Sequence, residues 1–383
     1  MRKKKIIKEF YAGENILSLT KKGVIIRDLE AGGKMPTTFN GYQVLYPDNL
    51  LMCLFDIDVT PRCVGIIKDE GLSSPAYSQF ILNELGYTPF FDYLLRYMDD
   101  EKCLLHLSKN LRNSLTEDDF GQIETIVPSF PEQQAIADYL DWKCGEIDEL
   151  ITLQEEMITK LQSYKQSVIT EAVTKGLDKN VPLKDSGIEW LGEIPEHWEV
   201  KRLKNVCSQI NIKENSKRNS LPYIGLENIE SGSGRYIDTI SEIEGMANRF
   251  CKNNVLFGKL RPYLSKVYLA EKDGICSPEF IVYDTKSNNS RFIHKLLLSQ
   301  PFIDVVNSST YGAKMPRANS EFINNIYVQI PPLSEQQAIA DYLDQRCSEI
   351  DELISIKQQK IEKLKEYKKS LIFECVTGKR KVS

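Results

Sequence analysis

The sequence predicts a mixed α+β (α/β) protein, with two globular domains in pseudo-twofold tandem repeat separated by two long antiparallel helices of coiled-coil type. Three observations predict it. Residues 132–174 return as residues 335–377 at a constant offset of 203, with 27 of the 43 aligned positions identical. Each copy carries an apolar stripe at helical spacing, and the segments between the copies alternate short β-rich runs with turn residues. A period this long denotes two domain-sized units rather than a solenoid. The expected divisions are a first globular domain over residues 1–131, a first long helix with its linker over 132–184, a second domain over 185–334 and a second long helix over 335–383.

The chain opens with a basic run, Arg2 to Lys5, which is expected to be solvated and frayed. The first domain then reads as short segments cut by Gly32-Gly33, Asn40-Gly41, Pro47-Asp48 and Thr60-Pro61. Gly23 to Ile26 and Leu50 to Ile57 are β-rich, whereas Tyr77 to Leu85 and Phe90 to Met98 read as helical or mixed. Prolines at 128 and 131, and again at 331 and 332, force an extended approach to each long helix. The helical stripe consists of Ile147, Ile151, Ile158, Leu161 and Val168 in one copy and Ile350, Ile354, Ile361, Leu364 and Leu371 in the other. Gln154 and Lys165 interrupt it. A helix over the whole repeat is about 65 Å long at about 1.5 Å per residue, too long to stand alone unless the stripe packs against something. The other copy is the natural partner. Gly176 is a plausible helix stop, residues 179–184 are a polar linker, and Trp190 and Trp198 are expected to pin the next segment to a domain surface. Subtracting 203 from 185 gives a number below 1, so the first domain is expected to be N-terminally abbreviated or to start upstream.

Composition sets bounds on function. No apolar run reaches the roughly 20 residues of a membrane span, and the N-terminus lacks a secretory core, which together point to the cytoplasm. Nine scattered cysteines without a Cys-x-x-Cys pair indicate buried free thiols. The net charge of −5 hides an uneven distribution: residues 200–330 carry 18 Lys and Arg against 12 Asp and Glu, while residues 1–130 carry 15 against 18. By bulk charge only the second domain resembles a phosphate-binding surface. Its candidate DNA contacts are Lys259, Arg261, Tyr263 and Lys266 in one loop and Lys314 and Arg317 in another. The poorer counterparts in the first domain are Lys34, Thr37, Thr38 and Arg62.

Catalytic signatures are missing. There is no Gly-x-x-x-x-Gly-Lys-Ser/Thr loop for ATP and no Asn/Asp-Pro-Pro-aromatic loop for base methylation. The three histidines, His106, His197 and His294, have no metal-ligand spacing. Asp284-Thr285-Lys286 has the form of a nuclease triplet, but Asp100-Glu101-Lys102 matches as well. The expectation is a chain without chemistry of its own.

Taken together, Glu-Gln-Gln-Ala-Ile-Ala-Asp-Tyr-Leu-Asp after Pro131 and after Ser334, Glu-Ile-Asp-Glu-Leu-Ile at Glu146 and Glu349, and the segment from Gly187 to Trp198 resemble the specificity (S) subunit of type I restriction-modification systems. The resemblance implies a non-catalytic DNA reader. Each globular part would be a target recognition domain for one half of a split DNA site. The helical stripe would dock subunits as well as pair, holding methyltransferase (M) subunits, two in number, with restriction (R) subunits joining the assembly. S-adenosylmethionine, ATP and Mg would be bound by those partners, with no cofactor and no metal on this chain. Two other readings stay open at this point: a truncated or silent copy that serves only as a helical docking protein, and a nuclease built on Asp284 and Lys286.

Overall fold

The computed structural model describes residues 1–31, 36–60, 62–108, 113–216, 220–239, 245–312 and 314–382. In chain order the first part contains β1 (Arg2–Lys4), β2 (Leu17–Thr20), β3 (Gly23–Ile26), β4 (Gln43–Leu45), β5 (Leu50–Met52), β6 (Val64–Ile66), β7 (Gly71–Ser73) and β8 (Ser78–Ile81). Helices α1 (Thr88–Asp100), α2 (Glu117–Gly121) and α3 (Phe130–Lys175) follow. The second part has β9 (Leu183–Asp185), β10 (Glu193–Pro195), β11 (Glu199–Arg202), α4 (Leu203–Val206), β12 (Ser208–Ile210), β13 (Lys213–Asn215), β14 (Tyr223–Ile224) and β15 (Met246–Phe250). It continues through β16 (Val255–Gly258), β17 (Val267–Leu269), β18 (Gly274–Cys276), β19 (Phe280–Asp284), α5 (Ser290–Leu298), α6 (Gln300–Ser308), α7 (Ser320–Asn325), β20 (Tyr327–Ile330) and α8 (Leu333–Val376).

The chain folds as two compact units, residues 1–155 with 358–383 and residues 156–357. Each therefore takes one stretch of α3 and one of α8. Unit 1 is built on an antiparallel sheet in the order β1-β8-β5-β6, with the pairs β2-β3 and β4-β7 beside it. Its core joins Leu50, Phe80, Phe90 and Leu94 to Leu140, Cys144 and Ile147 of α3 and to Leu371 and Cys375 of α8. Unit 2 has two four-stranded sheets, β12-β19-β16-β17 and β13-β15-β18-β14, and in the second of these β14 runs parallel to β18. Its main core gathers Trp198, Phe257, Tyr283, Phe292 and Phe302 with Val168 and Val173 of α3 and Ile339 and Leu343 of α8.

Within each unit an ion pair joins the two helical stretches, exposed in unit 1 and part-buried in unit 2. In unit 1 Lys368 Nζ donates to Asp148 at 2.7 Å. In unit 2 Lys165 Nζ donates to both oxygens of Asp351, at 2.8 and 2.7 Å. Asp351 is the repeat of Asp148 and Lys368 the repeat of Lys165, so each unit pairs the aspartate of one copy with the lysine of the other. The helices run antiparallel in unit 2, since Lys357 meets Met157 while the lower-numbered Asp351 meets the higher-numbered Lys165. The two polar interruptions of the stripe are thereby explained in part: Lys165 is 9% exposed and would be costly to bury without its carboxylate.

Several local expectations change. Residues 2–4 form an edge strand whose partners are Ile81, Phe80 and Gln79; backbone pairing orders a run whose charged side chains alone suggested fraying. Residues 78–81 are a strand too, not part of a helix, with three of the four side chains buried. The long helices start earlier than the identical segments do, at Phe130 and Leu333, because the first turn of a helix tolerates proline such as Pro131. Leu183 to Asp185 pairs with β10 rather than being linker. Gly176 ends α3 at φ +77°, and seven of the nine free cysteines are buried, with Cys103 intermediate and Cys251 exposed.

His294, inside unit 2, has its Nε2 3.0 Å from the Val267 carbonyl oxygen. Burial, aided by Lys295 and Lys165 and opposed by the Val267 hydrogen bond and Asp344, holds its pKa down from 6.5 to about 4. The folded value lies below the unfolded one, so the stability contribution is full above about pH 6.5 and is lost as pH falls toward 4, by about 3 kcal/mol in all. Urea titrations at pH 7 and pH 4.5 should show that loss, and His294→Gln should flatten it. An equal slope in the variant would assign the acid sensitivity elsewhere.

Candidate nucleic-acid interface

The site is assembled in unit 2 by two loops about fifty residues apart in sequence. After β16 the chain makes a tight turn, Pro262–Leu264, flanked by Arg261 at φ +50° and Ser265 at φ +48°. Two non-glycine residues in the left-handed region are a local strain of order 1–3 kcal/mol each, of the kind that persists where surrounding contacts enforce it. Here those contacts are visible. Arg261 N–H donates to the Pro316 carbonyl at 2.7 Å and Ala318 N–H donates to that of Lys259 at 3.0 Å. Isolated bridges further tie Leu260 and Tyr311 to Arg317. The two basic loops are therefore one surface.

On that surface Tyr263, Tyr311 and Met315 are 51%, 65% and 59% exposed, and Lys314 is exposed beside them. The Arg317 guanidinium is paired with the Glu279 carboxylate. Among the described residues, Arg261 Nε and Glu279 Oε2 are buried without a hydrogen-bond partner. Lys259 is half-buried, and burial lowers its pKa, with Glu279 acting in the opposite sense. Such a platform offers cations to phosphates and a forked guanidinium to a base edge, with aromatic rims for stacking. Lys266 stands apart from this group: its Nζ donates to the Leu226 carbonyl at 2.7 Å, and burial lowers its pKa, so it braces the loop.

The first-domain candidates among the described residues are not brought together in this way. Lys34 lies outside the described residues. Thr37 and Thr38 are exposed, and Thr38 Oγ1 accepts the Asn40 N–H at 3.1 Å. Arg62 is half-buried; burial and the neighbouring Arg96 lower its pKa, against Asp100, Asp92 and Asp99. The helical stripe is also placed. Ile147, Val168, Ile350, Ile354, Ile361 and Leu371 are buried, and Ile151, Ile158, Leu161 and Leu364 are half-buried.

Among the apolar side chains left outside on the two helices, one set repeats: Leu150 and Leu353 (42% and 48% exposed), Leu153 and Ile356 (48% and 54%), Tyr164 and Tyr367 (49% each). Sequence reasoning missed them because they lie off the apolar stripe, although they recur at the same 203-residue offset. It also missed Glu279, which pairs with Arg317. Lys286 Nζ donates to the carbonyls of Lys204 and Asn205 and its N–H to Asp284 Oδ1, which accounts for that triplet as a braced turn. No group of three His, Cys, Asp or Glu among the described residues could hold a metal ion, and no described helix is long and apolar enough to cross a membrane.

Residues 195–366 match the family model described as type I restriction modification DNA specificity domain. The chain is 26% identical over 282 residues to the type I restriction enzyme EcoDI specificity subunit of Escherichia coli, covering 67% of this chain and 62% of that protein. It is similarly 26% identical to the MjaVIII specificity subunit of Methanocaldococcus jannaschii, covering 69% and 63%. These matches thus span less than two thirds of the relatives' own lengths. Among solved structures, a chain from work on complex assembly and conformational transition of the type I R-M system superposes with TM-score 0.65 at 15% identity, covering 88% of this chain and 84% of that one. The HsdS subunit from Thermoanaerobacter tengcongensis gives TM-score 0.52 at 15% identity, covering 88% and 82%. Both likenesses concern the fold.

Proposed function

We infer that the chain is a specificity subunit of the type I restriction-modification kind, a reading supported by the match of residues 195–366 to the DNA specificity domain of that family. The reading is a DNA-recognition subunit for a bipartite site, one half per unit, without catalysis of its own. The observation that carries it is the joining of the loops around Arg261 and Arg317 into one cationic, aromatic-rimmed surface. Lys259, Arg261, Tyr263, Lys314 and Arg317 are the contacts assigned to DNA in unit 2, with Lys266 behind them. Thr37 and Thr38 are the candidates in unit 1.

The buried stripe serves helix pairing, and docking of methyltransferase subunits is assigned to the exposed repeated set, Leu150, Leu153 and Tyr164 with Leu353, Ile356 and Tyr367. A pattern repeated on both helices suits two copies of one partner. S-adenosylmethionine, ATP and Mg belong on methyltransferase and restriction subunits in this reading, and the complex acts in the cytoplasm.

The test is co-expression with the methyltransferase subunit encoded beside it and genome-wide mapping of N6-methyladenine. A split motif with a fixed gap is expected. A motif with one defined half would remove DNA reading from unit 1, and a stable complex that methylates nothing would sink the proposal as a whole.

A further inference from the structure

Residues 124–127 hold in unit 1 the place that β20 holds in unit 2, 203 positions away and just before a long helix. In unit 2 that place is covered. β11 pairs antiparallel with β20, from Glu199 opposite Ile330 to Arg202 opposite Tyr327. Leu203 N–H then donates to the Ile326 carbonyl at 2.9 Å, and α4 buries Leu203 and Val206 in the core. The turn after β19 secures α4, because Lys286 Nζ donates to the Lys204 carbonyl and Asn288 Nδ2 to that of Val206.

In unit 1 the surroundings are the same, but none of the described residues supplies the cover. β1 pairs with β8 as β12 pairs with β19, so that Arg2 stands opposite Ile81 where Ser208 stands opposite Asp284. Thr116 caps α2 as Asn319 caps α7. Yet no described residue makes a strand pair with residues 124–127. Val127 is 48% exposed where its counterpart Ile330 is 8%, and Ile126 is 71% exposed. Beside them opens a groove of about 530 Å³ whose lining includes Phe80, Leu94, Met98, Phe120, Ile123 and Val127. This is the apolar floor on which α4 rests in unit 2.

Charge indicates what fits. On the groove lining Lys3 is ion-paired with Glu117, which leaves Asp118 as the further carboxylate there, and Glu124 occupies the position of Tyr327. The segment that covers the unit 2 site is basic, with Lys201, Arg202 and Lys204, and its Arg202 Nε donates to the Tyr327 hydroxyl at 3.1 Å. Placed on unit 1, the same arginine would face a carboxylate.

We propose that residues 124–127 and the adjoining groove form a strand-addition site that no described residue fills, and that its ligand is an extended segment of another polypeptide with the pattern Trp-x-Val-x-Arg-Leu-x-x-Val, as found at Trp198–Val206. Main-chain pairing with 124–127 supplies the general affinity, and the Leu and Val positions entering the groove supply selection. This inference concerns unit 1 alone and stands whether or not unit 2 reads DNA.

The test uses the full chain and a fluorescein-labelled peptide with the sequence of residues 194–206, followed by fluorescence anisotropy. Saturable one-to-one binding is expected, with Kd on the order of 10 µM. Val127→Asp, an exposed position whose change should leave the circular dichroism and melting temperature unaltered, should weaken binding at least about tenfold. A peptide carrying Leu203→Asp should not bind. Absence of saturable binding overturns the proposal. So does equal binding to the Val127→Asp chain, which would mean that the peptide displaces β11 in unit 2. A chain that sediments as a dimer and takes up no peptide also overturns it, by assigning the groove to a second copy.

Discussion

Trp198→Ala should lower the stability of unit 2 by about 4 kcal/mol, close to the largest cost of removing a buried aromatic side chain. Trp198 is fully buried, and three different supports meet on it. Its ring belongs to the main core of unit 2. The end of α3 rests on it, since a Cβ added at Gly176 would lie 3.2 Å from the ring Cζ2. Its Nε1–H donates to Glu335 Oε2 at 3.0 Å, at the start of α8. One side chain thus fastens the exit of one long helix to the beginning of the other within this unit. Trp198→Phe retains most of the burial and should cost about 1–2 kcal/mol for the lost charge-assisted hydrogen bond. Urea denaturation of both variants, followed by tyrosine fluorescence, measures the two terms. A loss below about 1 kcal/mol for the alanine variant would show that the junction is held by other contacts.

Arg261→Ala should weaken DNA binding by the assembled complex about 10- to 100-fold, corresponding to loss of one base-edge contact. The argument combines the strained backbone of Arg261, its unpartnered Nε and the hydrogen bond that locks its position to Pro316. Arg261→Gly separates binding from folding. Glycine accepts φ near +50° without penalty, so this variant should melt no lower than the wild type while binding DNA as poorly as the alanine variant. Titrations at several salt concentrations read both affinity and slope. Unchanged affinity with an unchanged slope would show that Arg261 does not touch DNA.

The parts of the fold that sequence could reveal are those written in local or repeated patterns. The 203-residue duplication, the two helices, the stop at Gly176 and the anchoring tryptophan all have signals within a few residues or an identical copy elsewhere. The two loops of the interface were each visible by composition, but not their union, because the bond between Arg261 and Pro316 depends on how two distant strand ends are brought side by side. Arg62 shows the opposite failure. It looked like a loop cation after Thr60-Pro61, whereas the charges around it, Arg96, Asp92, Asp99 and Asp100, come from or adjoin α1. Its environment depends on packing that no local pattern encodes. Charge counting by segment was similarly blind to the pairing of Lys165 with Asp351 across 186 residues.

The interleaving of the units also sets an order of events during synthesis. Unit 1 begins at the first residue but needs Leu371 and Cys375 in its core and Lys368 beside Asp148. At roughly 5–20 residues per second, the N-terminal unit waits on the order of 10–40 s for its last helix to leave the ribosome. Unit 2, closed by residue 357, can finish first although it starts later. Loss of the last dozen residues would accordingly damage the part of the molecule made first, leaving apolar surface around Phe90 and Leu140 for chaperones and proteases to find.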